Sequence, residues 1–397
     1  MTENTETVVQ LSAAKSAARR MRGASDAQRV HGLQVLATIL RESTKGLLEA
    51  NAKDLAELPP ADVRRDRLAL TPERIEAMAR TTEAVAMLPD PLGAVLEERS
   101  MASGIHLRRV CVPLGVVGCI YEARPNVTVD LATLCLRTGN VVLLKGGKEA
   151  KASNEALMRC IAAALTVAEL PATAVTLMGA THADAEALMS ARGFVDVLIP
   201  RGSAALIQSV REKATVPVIE TGAGVCHLYV HEDADLAMAA RIIENAKTRR
   251  VSVCNALDCV LIHQSLQSHL SELLAPCRAK GVTVHEQVYG REWLSMDLSV
   301  RMVASLDEAL DHIARYGSGH SEAIVTRDRA VMARFQNEVD AACVYVNTPT
   351  SFTDGGEFGL GAEVGISTQK LHARGPMGLS ALTTSKWLID SEGAVRP

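Results

Sequence analysis

Val112-Pro-Leu-Gly-Val-Val-Gly-Cys-Ile-Tyr121 is a nearly continuous apolar run, and it decides the fold class of this chain. Such a run is typical of a strand that is buried on both faces, as in a parallel sheet. Four more apolar segments follow, separated by segments of helical periodicity that begin near residues 153, 182 and 203. The four lie at 141–144, 175–178, 195–199 and 216–219. This alternation predicts a doubly wound α/β domain.

A second alternating series follows the first, and it predicts a second α/β domain with a parallel sheet. Its strands are expected at 227–230, 259–262, 323–325 and 343–347, and its helices at 233–248, through 280, at 306–316 and at 327–339. Ahead of both series, residues 8–58 show helical spacing that is broken at Gly23. Ser25 with Gln28 and Thr71 with Pro72 mark helix starts, so this region is expected to be a helical cover.

The composition is that of an ordinary globular chain, because 48% of the 397 residues are apolar and 22% are charged. No apolar run approaches the ~18 residues of a membrane span. The net charge is −4 and no run of five like charges occurs, so neither nucleic acid nor a membrane surface is an expected partner. The polar, acidic N-terminus predicts a cytoplasmic location, where the nine cysteines are expected to be thiols.

Cys254 is the candidate nucleophile of this sequence. It follows the helix predicted at 233–248 and stands among Lys247, Arg249 and Arg250. Positive charges of this kind lower the pKa of a thiol and favour the reactive thiolate.

Two other interpretations of the cysteine region are open on these grounds alone. A Cys-His hydrolase would need a histidine near Cys254, and the fold could supply one of three. The three are His227, His320 and His372. A metal site is the other interpretation, but the spacing Cys254-x4-Cys259-x3-His263, with Cys226-His227, fits no common zinc motif. No metal is therefore expected.

Ligands of parallel sheets bind at the carboxyl ends of the strands. Small or basic residues stand at those positions in the first domain: Pro125-Asn126, Lys145-Gly-Gly147, Gly179 and Arg201-Gly-Ser203. The standard nucleotide fingerprints, G-x-G-x-x-G and the Walker loop, do not occur. Lys145 could reach a ribose phosphate or be an ordinary exposed lysine. Gly202-Ser203 could receive a pyrophosphate or be a simple helix cap, and Asn126 could donate to an oxyanion or belong to a turn.

Seven segments, in order along most of the chain, carry a family resemblance. They are Pro113-Leu-Gly-Val-Val-Gly118, Tyr121-Glu-Ala-Arg-Pro-Asn-Val-Thr-Val-Asp130, Gly139-Asn-Val-Val-Leu-Leu-Lys-Gly-Gly147, Cys226-His-Leu-Tyr-Val230, Val253-Cys-Asn-Ala-Leu257, His320-Ser-Glu-Ala-Ile324 and the long segment from Phe358 to Gly378. These segments resemble the gamma-glutamyl phosphate reductases, or glutamate-5-semialdehyde dehydrogenases, a branch of the aldehyde dehydrogenase superfamily. The resemblance implies an aldehyde dehydrogenase-like fold with two Rossmann-like parallel-sheet domains and a small oligomerisation arm.

The resemblance also implies roles for the residues at the strand ends. Cys254 corresponds to the catalytic thiol, and its backbone N–H forms the oxyanion hole with the side-chain amide of Asn126. NADP(H) is expected to lie across the first domain, with Lys145 at the adenosine ribose, where a basic residue suits a 2'-phosphate. Gly202 and Ser203 correspond to the helix start on the pyrophosphate side, and Gly179 to a glycine kept against the cofactor.

The implied reaction is the reduction of gamma-glutamyl phosphate, through a Cys254 thioester, to glutamate 5-semialdehyde in proline biosynthesis. Glu220 stands before Cys254 at the spacing at which oxidising aldehyde dehydrogenases carry a general base, which leaves oxidation of another small aldehyde as the alternative. Reduction of an acyl phosphate needs no such base, so Glu220 is expected to be a non-essential base or a substrate contact. Lys370 and Arg374 are weak candidates for holding the substrate's carboxylate or phosphate.

The expected domains are an NADP-binding domain at 1–225, a catalytic domain at 226–347 and a return segment with an oligomerisation strand at 348–397. Segments 105–113 and 382–389 correspond to an intersubunit arm, which implies at least a homodimer. Association with the glutamate 5-kinase that makes the unstable substrate is a hypothesis. Two departures from the family pattern, Arg249 and Val251-Ser252, could shift the Cys254 loop without changing the reaction.

Overall fold

The computed structural model describes residues 3–62, 64–122 and 124–396. The chain divides into two compact units. Unit 1 comprises Met1–Glu220, Gly359–Gly365 and Met377–Pro397, and unit 2 comprises Thr221–Phe358 and Ile366–Pro376. The roles predicted for the segments 1–225, 226–347 and 348–397 stay predictions.

The α-helices of the described residues are α1 (Glu3–Met21), α2 (Asp26–Glu42), α3 (Thr44–Ala56), α4 (Arg65–Leu68), α5 (Pro72–Met87), α6 (Pro125–Arg137), α7 (Lys151–Val167), α8 (His182–Met189), α9 (Ala204–Lys213), α10 (Leu236–Thr248), α11 (Leu270–Ala279), α12 (Leu306–Tyr316) and α13 (Arg329–Glu338). The strands are β1 (Val95–Ser100), β2 (His106–Pro113), β3 (Val116–Tyr121), β4 (Val141–Lys145), β5 (Val175–Leu177), β6 (Val197–Arg201), β7 (Cys226–Val230), β8 (Leu257–His263), β9 (Thr283–Glu286), β10 (Asp297–Val303), β11 (Ser321–Val325), β12 (Cys343–Val346), β13 (Ile366–Ser367), β14 (Gly375–Pro376) and β15 (Thr383–Asp390).

The N-terminal helices of unit 1 begin where their caps predict. Ser25 and Gln28 form the capping box of α2, and Thr71 caps α5 with Pro72 in its first turn. The helix predicted over 8–58 is broken twice, because the chain also turns at Ser43, where α2 ends and α3 starts at the next residue.

The parallel sheet of unit 1 has the strand order β5-β4-β3-β6. Strands β3 and β4 are buried along their whole length, as their apolar sequences predict. The run 112–121 is two strands, however, because Pro113 lacks an N–H donor and Gly115 has a φ of 126°. The strand predicted at 216–219 is also wrong, since its only described pairing is an isolated bridge between Leu198 and Val218.

A separate antiparallel sheet in unit 1 joins distant parts of the chain. Its order is β1-β2-β15, and Thr383 at the start of β15 pairs with Pro113 at the end of β2. The two segments predicted to form an arm therefore pair with each other within one chain. Trp387 and Ile389 on β15 are exposed. The intersubunit role of this sheet stays a prediction.

Unit 2 is built on a six-stranded parallel sheet of order β12-β11-β7-β8-β10-β9. Alternate residues of β8 enter two different apolar clusters, Val260 and Ile262 in one and Cys259 and Leu261 in the other. Because successive side chains of a strand point to opposite faces, both faces of this sheet are covered. This arrangement confirms the prediction of two parallel-sheet α/β domains. Within the described ranges, no helix combines the length and the apolar character that a membrane crossing requires.

Candidate active site

Cys254 lies in the short loop between α10 and β8, where its side chain is half-buried. The backbone of this loop contacts Cys226, the first residue of β7. The Cys226 thiol donates to the Cys254 carbonyl oxygen over 3.3 Å. A Cβ atom at Gly224 would lie 1.5 Å from the same oxygen, so only glycine fits there. The position of the Cys254 carbonyl is thus fixed by Cys226, which begins one of the family segments, and by Gly224, which no sequence motif singled out.

Two further groups hold this support in place. The Glu292 carboxylate accepts a hydrogen bond of 3.0 Å from the backbone N–H of Gly224. Burial raises the pKa of Glu292, while that hydrogen bond acts in the opposite direction. On the other side of the loop, the buried Asn255 amide donates to the carbonyl oxygens of Ser351 and Thr353 over 3.3 and 2.9 Å. Gly224, which packs against the Cys254 carbonyl, and Asn255, which follows Cys254, are therefore both held by hydrogen bonds.

The basic residues predicted around Cys254 are not all directed at the thiol. Lys247 is completely buried, and its Nζ lies 3.7 Å from Asp258 Oδ1. That distance is too long for a hydrogen bond, and Nζ has no hydrogen-bond partner among the described residues. Arg249 reaches the Ser351 carbonyl oxygen at 3.5 Å. The charge of Lys247 therefore faces Asp258.

Burial is the largest influence on the pKa values of Asp258 and Lys247. It raises the pKa of Asp258 to about 7, against the attraction of Lys247 and a hydrogen bond from the Trp293 N–H. Burial also lowers the pKa of Lys247, against the attraction of Asp258. Burial thus favours the neutral form of both side chains, compared with the same side chains in water.

The pair predicts a pH dependence of stability. Asp258 keeps its proton in the folded state between about pH 4 and 7, whereas the unfolded chain loses it near pH 4, so this group stabilises the fold less as pH rises. We expect Asp258→Asn to remove about 2–4 kcal/mol of that fall in the free energy of unfolding. Urea unfolding across this pH range measures it. Asp311 is an exposed residue of the same unit, and the free energy of unfolding of Asp311→Asn should change with pH as in the wild type. The same pH dependence for Asp258→Asn would contradict the raised pKa of Asp258.

Lys145 ends β4 at the carboxyl edge of the unit 1 sheet and is 8% exposed, so it is not the ordinary exposed lysine of the alternative interpretation. Burial lowers its pKa, and the carboxylates of Asp184, Glu149 and Glu122 counteract that effect. The end of the sheet therefore holds one buried cation among three carboxylates.

The glycines predicted at this edge lie against two of those carboxylates. A Cβ at Gly179 would be 2.2 Å from Asp184 Oδ2, and one at Gly202 would be 2.5 Å from Glu122 Oε2. The N–H of Ser203, which the sequence suggested for a pyrophosphate, donates to Glu122 over 2.8 Å. Ser203 is also the N-cap of α9. The structure thus brings Lys145, Gly179, Gly202 and Ser203 to one edge of the sheet and adds Glu122, which sequence reasoning missed.

Asn126 lies in the first turn of α6, directly after its N1 residue Pro125, and is exposed. Its Nδ2 donates to Asp130 Oδ2, one turn later, over 2.9 Å. Burial raises the pKa of Asp130 to about 6, against this hydrogen bond. An amide nitrogen carries two hydrogens, so one donor of Asn126 is left for a ligand.

The remaining predicted residues make ion pairs. Glu220 lies 3.8 Å from Arg211 of α9. Lys370 and Arg374 both pair with Asp340 of unit 2, and Arg374 does so at 2.8 Å. The hydrogen bonds from Lys370 and Arg374 lower the pKa of Asp340.

The hydrolase interpretation needs a basic histidine, and burial works against it. His320 is fully buried, which lowers its pKa to about 4. Its Nδ1 contacts the Ser321 hydroxyl over 2.8 Å. His227 pairs through Nδ1 with the Glu322 carboxylate at 3.0 Å. Burial lowers the pKa of His227, but Glu322 and Cys259 together outweigh burial and raise it to about 10. Burial thus makes His320 a weak base, and Nδ1 of His227 is already engaged by Glu322, which disfavours a Cys-His pair built on either.

A different set from the one suggested by sequence spacing could hold a metal. His227, Cys259 and His312 are buried and place their ligand atoms within 4.8 Å of one another. Arg301, however, donates to Nδ1 of His312 over 3.0 Å, so the neutral ring carries its proton on Nε2. His227 in turn is held by Glu322. A metal would have to displace the His312 proton beside a guanidinium, so these hydrogen bonds explain the cluster without one.

Known proteins resemble the chain in both sequence and fold. Residues 2–288 match the model of the aldehyde dehydrogenase family. A gamma-glutamyl phosphate reductase of Phocaeicola vulgatus is 49% identical over 387 residues, which are 92% of this chain and 93% of the relative.

Solved structures give the same likeness. The crystal structure of a gamma-glutamyl phosphate reductase from Thermotoga maritima superposes with a TM-score of 0.95 at 38% identity, covering 99% of this chain and 100% of the other. A glyceraldehyde-3-phosphate dehydrogenase from Methanocaldococcus jannaschii, complexed with NADP, has a TM-score of 0.73 at 16% identity, covering 99% and 95%. This second likeness concerns the fold alone.

Proposed function

This chain belongs to the aldehyde dehydrogenase family, and from that premise we propose that it reduces gamma-glutamyl phosphate to glutamate 5-semialdehyde and phosphate with NADPH. The proposal makes it the second enzyme of proline biosynthesis from glutamate. The 49% identity to a gamma-glutamyl phosphate reductase over 92% of the chain carries the proposal. The loop of Cys254, whose carbonyl is held by Cys226 and Gly224, is the local structural feature that supports a catalytic role for this cysteine.

Cys254 is proposed as the nucleophile. Its sulfur attacks the acyl carbon of gamma-glutamyl phosphate, a carbon–sulfur bond forms, and the carbon–oxygen bond to phosphate breaks, which leaves a thioester. When bound, the nicotinamide supplies the hydride that reduces the thioester carbon. The carbon–sulfur bond then breaks, the product aldehyde leaves, and Cys254 returns to its starting state.

Asn126 and the Cys254 N–H are proposed as donors to the oxyanion of each tetrahedral state. A donor of this kind typically contributes about 10²–10³ in rate. Glu220 is given no essential role, because an acyl phosphate already carries a good leaving group and no water has to be activated. Lys370 and Arg374 would have to exchange Asp340 for a substrate group.

The unit 1 edge fits a phosphate-bearing cofactor. An anion already lies on the start of α9, since the Ser203 N–H and hydroxyl both donate to the Glu122 carboxylate. Helix starts of this kind bind phosphate. Lys145 and Gly179 at the same edge are proposed to hold the adenosine end, with the lysine suited to the 2'-phosphate of NADP(H).

Three finer features are part of the proposal. The nine thiols, with no disulfide among the described residues, support a reducing, cytoplasmic location. The exposed Trp387 and Ile389 of β15 support homo-oligomer formation through the β1-β2-β15 sheet. Association with glutamate 5-kinase would protect the labile acyl phosphate.

The reverse reaction tests the proposed function. The purified protein is mixed with glutamate 5-semialdehyde and NADP or NAD, with and without inorganic phosphate, and the absorbance of the reduced nicotinamide is followed. We expect reduction of NADP that requires phosphate, because phosphate must attack the thioester to release the acyl phosphate. Reduction without phosphate would instead indicate an oxidising aldehyde dehydrogenase that uses Glu220. No reduction by folded protein would overturn the proposed function.

A further inference from the structure

The start of α9 is already occupied by a side chain of the same chain. The backbone N–H of Ser203 donates to Glu122 Oε2 over 2.8 Å, and the Ser203 hydroxyl donates to Glu122 Oε1 over 3.1 Å. Both oxygens of one carboxylate are therefore held by one residue at the helix start. Such donors are unsatisfied within the helix itself and take an anion from elsewhere.

Gly202 makes room for this carboxylate. A Cβ at position 202 would lie 2.5 Å from Glu122 Oε2 and 2.8 Å from the carboxyl carbon. The carboxylate thus lies directly over the backbone of Gly202 and Ser203. This is the place where a pyrophosphate would approach the backbone if α9 binds the cofactor.

Glu122 and a phosphate cannot use these donors together. A phosphate at the start of α9 needs the same N–H, and two anions in contact repel each other. The local charge adds to the conflict, because the buried cation Lys145 already interacts with the carboxylates of Asp184, Glu149 and Glu122. The Glu122 side chain itself is exposed, so it can leave without loss of packing.

We propose that Glu122 is an internal competitor of the cofactor phosphate. Its carboxylate accepts the hydrogen bonds at the start of α9 and moves away from Ser203 when a phosphate binds there. Glu122 therefore lowers the affinity for the cofactor and hastens its release. This inference rests on the proposed binding of NADP(H) at the unit 1 edge, and it makes Glu122 a residue that sets affinity rather than a catalytic one.

Cofactor binding by charge-matched variants tests this inference. Glu122→Gln keeps the shape of the side chain and removes the charge, and we expect it to lower the dissociation constant for NADPH about three- to tenfold. Glu212→Gln removes the same charge near the other end of α9, where Glu212 contacts Gln208, and should stay within about twofold of the wild type. Titration calorimetry measures the constants, and thermal melting confirms that each variant is folded.

Fragments of the cofactor show whether the gain in affinity requires the pyrophosphate. ADP, which contains the pyrophosphate, should gain affinity in Glu122→Gln, whereas adenosine should not. Equal gains for ADP and adenosine would overturn the inference, as would unchanged or weaker NADPH binding by Glu122→Gln. If the wild type binds no NADPH, the proposed cofactor is wrong instead. Glu122→Asp separates competition from a general charge effect, because it keeps the charge but cannot span the same distance to Ser203. It should also bind NADPH more tightly than the wild type, and wild-type affinity in Glu122→Asp would overturn the inference.

Discussion

Alanine at position 254 is expected to lower the phosphate-dependent reduction of NADP by more than about 10⁴-fold. The side chain of alanine cannot form a thioester, so neither direction of the reaction has a covalent route. Cofactor binding should be unchanged, because the residues proposed to hold NADP(H) all belong to unit 1 while Cys254 belongs to unit 2. The initial rate and the NADPH dissociation constant, measured on the same preparation, check both statements.

A second cysteine provides the control for this substitution. Cys277→Ala removes a fully buried thiol on α11 from the apolar cluster of unit 2. It should reduce stability by about 1 kcal/mol and leave the rate within a few-fold of the wild type. Substantial activity in Cys254→Ala would remove Cys254 from the mechanism, whatever the result for Cys277→Ala.

Gly224→Ala should lower the rate about 100-fold or more, because its methyl group meets the backbone of Cys254. The new Cβ would stand 1.5 Å from the Cys254 carbonyl oxygen and 2.5 Å from its carbonyl carbon. Both are backbone atoms, so the Cys254 loop has to move. A displacement of about 1 Å at a reacting group can cost about 10²-fold in rate. Rates together with circular dichroism of the folded variant measure this effect.

Gly46 supplies the matched glycine-to-alanine control. It lies within α3, and a Cβ there meets no atom within 4 Å. Gly46→Ala should therefore keep full activity and be slightly more stable, because alanine favours a helix. Full activity of Gly224→Ala would mean that the loop adapts to the methyl group and that its position is not critical.

The sequence predicts both parallel sheets because their strands are apolar on two faces. The prediction of strand ends from apolar residues fails where the backbone cannot continue the sheet pairing. Pro113 has no N–H donor, and the run 112–121 is divided there into β2 and β3. Strands β9 and β10 of unit 2 were missed as well. Their sequences mix polar and apolar residues. Their place in the sheet depends on the pairing of β10 with β8 and of β9 with β10, which local pattern does not reveal.

The candidate site divides in the same way. Cys254, Asn126 and Lys145 stand at strand or helix ends that the sequence makes visible, and their roles stay predictions. Glu122 could have been suspected, because it is an acidic residue directly after a buried strand. Gly224 offered no such signal, since its importance comes from the close approach of the Cys254 carbonyl, which is 30 residues later in sequence and adjacent only in the fold.

The β1-β2-β15 sheet also affects how the chain is made. Arg108 on β2 and Asp390 on β15 form an ion pair across 282 positions of sequence. At about 5–20 residues per second, a ribosome needs tens of seconds to cover that interval. During this time one edge of β2 lacks its partner strand, and open strand edges invite pairing with other chains. Nascent chains should thus depend on chaperones until the last residues of β15 emerge.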